Sequence, residues 1–182
     1  MEKSIGIVEF RSIAVGIDAV DKIVKASEVV IFDARTICPG KYYIIFSGLV
    51  SAVKNSMSII EEGCSTFIID SVVIPNVYPR IFSAVSGTSE IKSFKSIGVI
   101  ETLTSPSIFW SADAAVKATE VDIVEIRVAR AIGGKNICII NGELSDVSES
   151  VRVGIQYPEE KGFLVNYEVI AAPHPDLYRA VM

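Results

Sequence analysis

The sequence predicts an α+β protein made of two copies of one strand-and-helix unit, and three observations predict it. Ile5-Gly6-Ile7-Val8-Glu9 returns as Ile97-Gly98-Val99-Ile100-Glu101, 92 positions on (97 − 5). At the same offset residues 21–29, DKIVKASEV, return as residues 113–121, DAAVKATEV, with six of nine identical. After a shift of two, Ser47-Gly48 matches Asn141-Gly142 and Ser51-Ala52-Val53 matches Ser145-Asp146-Val147; Pro75-Asn76 is then paired with Pro173-His174. Repeats of this length are sought first because they decide the whole architecture. They divide the 182 residues into two homologous domains, 1–92 and 93–182, each large enough for a small fold.

The elements follow in order. Residues 5–10 alternate as a strand does. Ile17, Val20 and Val24 lie three and four apart and make one apolar helix face, with Phe109, Ala112 and Val116 in the same places of the second repeat. Residues 29–36 and 42–47 are rich in β-branched and aromatic side chains and flank Pro39-Gly40, so they read as strand, loop and strand. Residues 49–62 read as a second helix ended by Gly63. Residues 67–74 form a fourth strand, and Pro75 opens a short helical tail. The order β-α-β-β-α-β is the split βαβ, ferredoxin-like arrangement, with helices layered on one face of four strands.

Composition excludes several classes. Half of the residues are hydrophobic and 21% are charged, which describes an ordered globular chain. The net charge is −5, and no basic stretch offers a face to nucleic acid. No apolar run has the length of a membrane span; residues 29–32 are cut short by Asp33 and Arg35. The N-terminus enters a strand pattern at once and fits no signal peptide. Cys38, Cys64 and Cys138 form neither a CxxC pair nor an even set, so a cytoplasmic, reducing compartment is expected. No Ser-His-Asp set, HExxH or P-loop is present, and no enzymatic activity is expected. His174, between two prolines, reads as a surface or interface residue, and Glu9 and Glu101 at strand ends read as acceptors for nearby backbone.

IGIVE, DAVDKIVKASEV and Ser47-Gly48, with IGVIE, SADAAVKATEV and Asn141-Gly142, resemble the shell domain of bacterial microcompartments (BMC) twice over, across essentially the whole chain. The resemblance implies a tandem-domain shell protein in unpermuted order. Such proteins form homotrimers that imitate a six-fold ring and tile with other shell proteins into a sheet. Lys25 and Lys117 match the family's lysine after the first helix, which lies against its counterpart across the ring-to-ring edge. The plain alternative is a solvated lysine favoured by the helix dipole. Thr36-Ile37-Cys38-Pro39-Gly40-Lys41, with Gly133-Gly134-Lys135, resembles the tandem shell proteins of propanediol-utilisation compartments that carry an iron–sulfur cluster in the central pore.

In that family the loop between the second and third strands faces the pore. Here it is residues 37–41, with Cys38, Pro39, Gly40 and Lys41, and residues 131–135, with Gly133, Gly134 and Lys135, the second repeat having gained two residues by this stretch. The first copy alone has a cysteine. Three-fold symmetry would bring three Cys38 thiolates together, enough for three irons of a cubane 4Fe–4S cluster, one per trimer, the fourth iron taking water or another ligand. Proline stiffens such a turn and glycine allows close approach, so the N–H groups of the Gly40-Lys41 step are expected to face the cluster sulfides. Lys41 and Lys135 read equally as pore-side or as solvated lysines. Cys64 and Cys138 read as small core residues. The resemblance thus implies a structural shell protein of a cytoplasmic compartment, whose cluster passes electrons across the shell or is delivered to encapsulated redox enzymes. A cluster-free pore for small metabolites and a free-standing ligand-binding or sensing protein stay open.

Overall fold

Alternation along the first strand is carried to both faces of a sheet. In the computed structural model, which describes residues 4–89, 93–129 and 131–177, β1 runs Ser4–Phe10 and every residue in it is buried. Val8 and Phe10 point into the helix-covered core, and Ile5 and Ile7 lie on the opposite side. Helix α1, Ile13–Ala26, starts at Ser12, whose hydroxyl accepts the Val15 N–H at 3.4 Å. Strands β2 (Val29–Ile37) and β3 (Lys41–Gly48) form a hairpin, α2 (Val50–Cys64) returns over the sheet, and β4 (Ile68–Ile74) completes it. The sheet is antiparallel in the order β2-β3-β1-β4. Helices α1 and α2 close a core of Val8, Phe10, Ile23, Phe46, Met57 and Ile60. Gly6 serves this packing: a Cβ there would lie 2.3 Å from Cζ of Phe46, so the ring crosses β1 only over a glycine.

The second repeat has the same topology. Helix α3 (Arg80–Val85) precedes β5 (Ser96–Thr102), α4 (Ser105–Ala118), β6 (Asp122–Arg127), β7 (Asn136–Gly142), α5 (Leu144–Gly154), α6 (Gln156–Glu160) and β8 (Leu164–Ile170). Its sheet runs β6-β7-β5-β8, element for element the first sheet. The α+β tandem architecture is therefore as predicted. Two compact units result. One comprises residues 1–77 with 104–107 and 128–135, the other residues 78–103, 108–127 and 136–182. The boundary expected between residues 92 and 93 adjoins residues 90–92, which lie outside the described residues.

Four local expectations need correction. The α1 face of Ile17, Val20 and Val24 is only partly buried: Val20 packs against the core, but Ile17 is 57% and Val24 45% exposed. Gly16, Ala19 and Ile23 are buried instead. This helix has two apolar faces, and the one with small residues docks, because a Cβ at Gly16 would sit 2.5 Å from the Tyr42 ring. Gly63 does not end α2, which continues through Cys64. The pairing of Pro75 with Pro173 is two residues out: β4 and β8 end at Ile74 and Ile170, 96 positions apart (170 − 74), so Pro79 corresponds to Pro175. Finally, β6 stops at Arg127, which lengthens the second loop to residues 128–135 against three residues, Cys38 to Gly40, in the first repeat.

Candidate functional site

The turn between β2 and β3 holds Cys38. Gly40, at φ +86°, closes it by donating its N–H to the Ile37 carbonyl at 3.0 Å. That N–H is therefore spent within the turn and is not open to a cluster sulfide, as had been expected of it. The Cys38–Pro39 peptide bond is cis. The turn is braced from outside its own repeat. Cys38 donates its N–H to the Ala129 carbonyl at 2.9 Å. Gly134, at φ +83°, lies so close that a Cβ would be 2.8 Å from Pro39 Cδ and 3.0 Å from the Cys38 carbonyl oxygen. The segment 128–135 thus belongs with the first unit because it backs the cysteine turn. A cleft of about 340 Å³ opens beside it, lined by Ile13, Thr36, Ile37, Cys38, Pro39 and Gly40.

The three cysteines differ in access. Cys38 is half-buried, whereas Cys64 and Cys138 are 4% and 0% exposed, the core positions expected of them. Burial pushes the Cys138 thiol up to about 12, which makes it inert at neutral pH. Among the described residues no group of three or more His, Cys, Asp or Glu side chains is placed to hold a metal ion. One chain contributes one thiol at this turn. Its chemistry fits an iron–sulfur ligand, and its number fits a site shared between copies.

Lys41 is mostly buried and paired, not a freely solvated lysine. Its ammonium donates to Glu9 Oε1 at 2.5 Å, with the lysine side chain 15% and the glutamate 0% exposed. Glu9 Oε2 accepts the Ser105 N–H at 2.7 Å, so the backbone role read for Glu9 holds, but its partner is 96 residues away. Asp70 works beside it, accepting from Thr104 Oγ1 at 2.6 Å and Ser107 Oγ at 2.9 Å. These two carboxylates tie residues 104–107 into the first unit. Further along the hairpin the Tyr43 hydroxyl donates to Asp33, and burial first, then Asp33, holds its pKa above the ordinary phenol range. Gly133 and Lys135 are exposed on the second loop, and the Lys135 N–H closes it onto the Ile132 carbonyl at 3.2 Å.

Lys25 and Lys117 end equivalent helices and pair with Asp21 and Asp113, one turn back, each at 2.5 Å. Their side chains are 72% and 41% exposed. His174 is exposed, and its Nδ1 accepts the Asp176 N–H at 3.2 Å, a local turn contact.

A family model described as BMC domain matches residues 4–77 and 96–173. The chain belongs to the BMC domain family. It is 35% identical to the bacterial microcompartment shell protein PduT of Citrobacter freundii, over all of this chain and 99% of the relative. To the carboxysome assembly protein CcmO of a Synechocystis species it is 26% identical, over 90% of this chain and 59% of that protein. Among solved structures, a microcompartment protein from Desulfitobacterium hafniense superposes with a TM-score of 0.86 at 38% identity, covering 98% of this chain and 99% of that one. A fused permuted hexameric shell protein of the RMM microcompartment superposes at 0.63 and 18% identity over 84% of this chain and 79% of that one, a likeness of BMC fold alone. The chain is therefore a two-domain, PduT-like BMC protein whose full-length relatives are microcompartment shell proteins. Among the described residues no helix is long and apolar enough to cross a membrane.

Proposed function

We propose that three copies of this chain close into a ring that tiles with other shell proteins into a microcompartment shell, and that three Cys38 thiolates on its axis hold one 4Fe–4S cluster. The observation that carries the reading is the contrast among the thiols: Cys38 is the accessible one, on a turn held by the Ala129 carbonyl and by close contact with Gly134. The likeness of residues 36–41 to the iron–sulfur members of the family supports it. When bound, the cluster supplies one-electron redox chemistry, for transfer across the shell or for delivery to encapsulated redox enzymes. The chain's own part is positional. Pro39 and Gly40 fix where Sγ stands, and Glu9 keeps the Lys41 ammonium bound at the base of the hairpin. Lys25 and Lys117, exposed at helix ends, stand at the ring-to-ring edge in this reading.

Anaerobic reconstitution with iron and sulfide tests it. Wild-type protein should turn brown, bind about one cluster per trimer as three convergent thiolates imply, and sediment at three times 19.7 kDa. Cys38→Ser should stay colourless at the same sedimentation coefficient, because a hydroxyl holds its proton far more tightly than a thiol. Wild-type protein that takes up no iron, or a Cys38→Ser protein that still does, would remove the cluster and leave a pore for small metabolites.

A further inference from the structure

We draw no further inference here: the strongest candidate, the surface patch where Trp110 of α4 stacks on Tyr157 of α6 with the Lys161 ammonium over the Tyr157 ring, carries nothing because nothing in the structure shows what covers it.

Discussion

Substituting Lys41 by methionine removes one end of the buried pair beneath the cysteine turn and keeps most of the side-chain volume. Glu9 has no exposure, and its two oxygens face the Lys41 ammonium and the Ser105 N–H at 2.5 and 2.7 Å. Breaking a buried pair by removing one partner costs about 3–5 kcal/mol, because the remaining charge cannot regain water. The Ser105 N–H remains and the lysine position is 15% exposed, so the lower end, about 3 kcal/mol, is expected. A solvated pore lysine would instead change stability by no more than about 0.5 kcal/mol. Adding Glu9→Gln removes the stranded charge, so the double variant should be more stable than the sum of the two singles by about 1 kcal/mol or more. Urea unfolding followed by circular dichroism, at one protein concentration for all four proteins, measures the cycle. A Lys41→Met protein within about 1 kcal/mol of wild type, or strictly additive singles, would refute the pairing as the hairpin's anchor.

Gly134→Ala should cost about 1–3 kcal/mol by forcing a Cβ against Pro39 and the Cys38 carbonyl at positive φ; Gly133→Ala, with nothing within 4 Å, should cost less. Thermal unfolding and the alkylation rate of Cys38 report both, and equal losses at the two glycines would contradict the brace. Iodoacetamide at pH 8 should label Cys38 in the native protein, with Cys64 and Cys138 labelled only in urea. For Cys138, raised to about 12, only about one thiol in ten thousand is then ionised, and native labelling of Cys138 at the Cys38 rate would disprove its burial. Because burial raises that pKa, its contribution to stability is intact below the ordinary thiol value of 9.0 and is lost as pH rises towards 12; replacing Cys138 by alanine should flatten the alkaline limb of a stability profile.

The fold was legible because the chain states it twice. A weak alternation at residues 5–9 gains force when it returns at 97–101, and the strand order then follows from one grammar. The cysteine turn was legible for a local reason, as Pro-Gly between two β-branched runs permits little else. What could not be read depended on contacts remote in sequence. Glu9 is 32 residues from Lys41 and 96 from Ser105, and no spacing rule links them. The α1 face was misread because periodicity locates apolar stripes without saying which neighbour each one meets; small Gly16 and Ala19 won the sheet because Tyr42 comes so close. The brace at Cys38 was hidden because β6 ends at Arg127, where equivalence with β2 would have kept Val128 and Ala129 in a strand.

Divergence between the repeats is what allows one turn to present a thiol and another to hold it still. The Gly134 position tolerates no Cβ and requires positive φ, whereas the Cys38 position must carry a side chain and is followed by proline. A single sequence used for both loops could not meet both demands. In a ring of six identical domains every loop would bear the cysteine and none would be free to brace it, and six thiols would crowd a site that a cubane fills with four ligands. In the proposed ring, three two-domain chains would bring three thiols to the axis, each backed by its own chain's second loop. On this argument the duplication does more than reduce the number of chains in the ring. It would set the ligand count of the proposed cluster, and it makes the bracing of the cysteine turn a property of each chain, present before any ring closes.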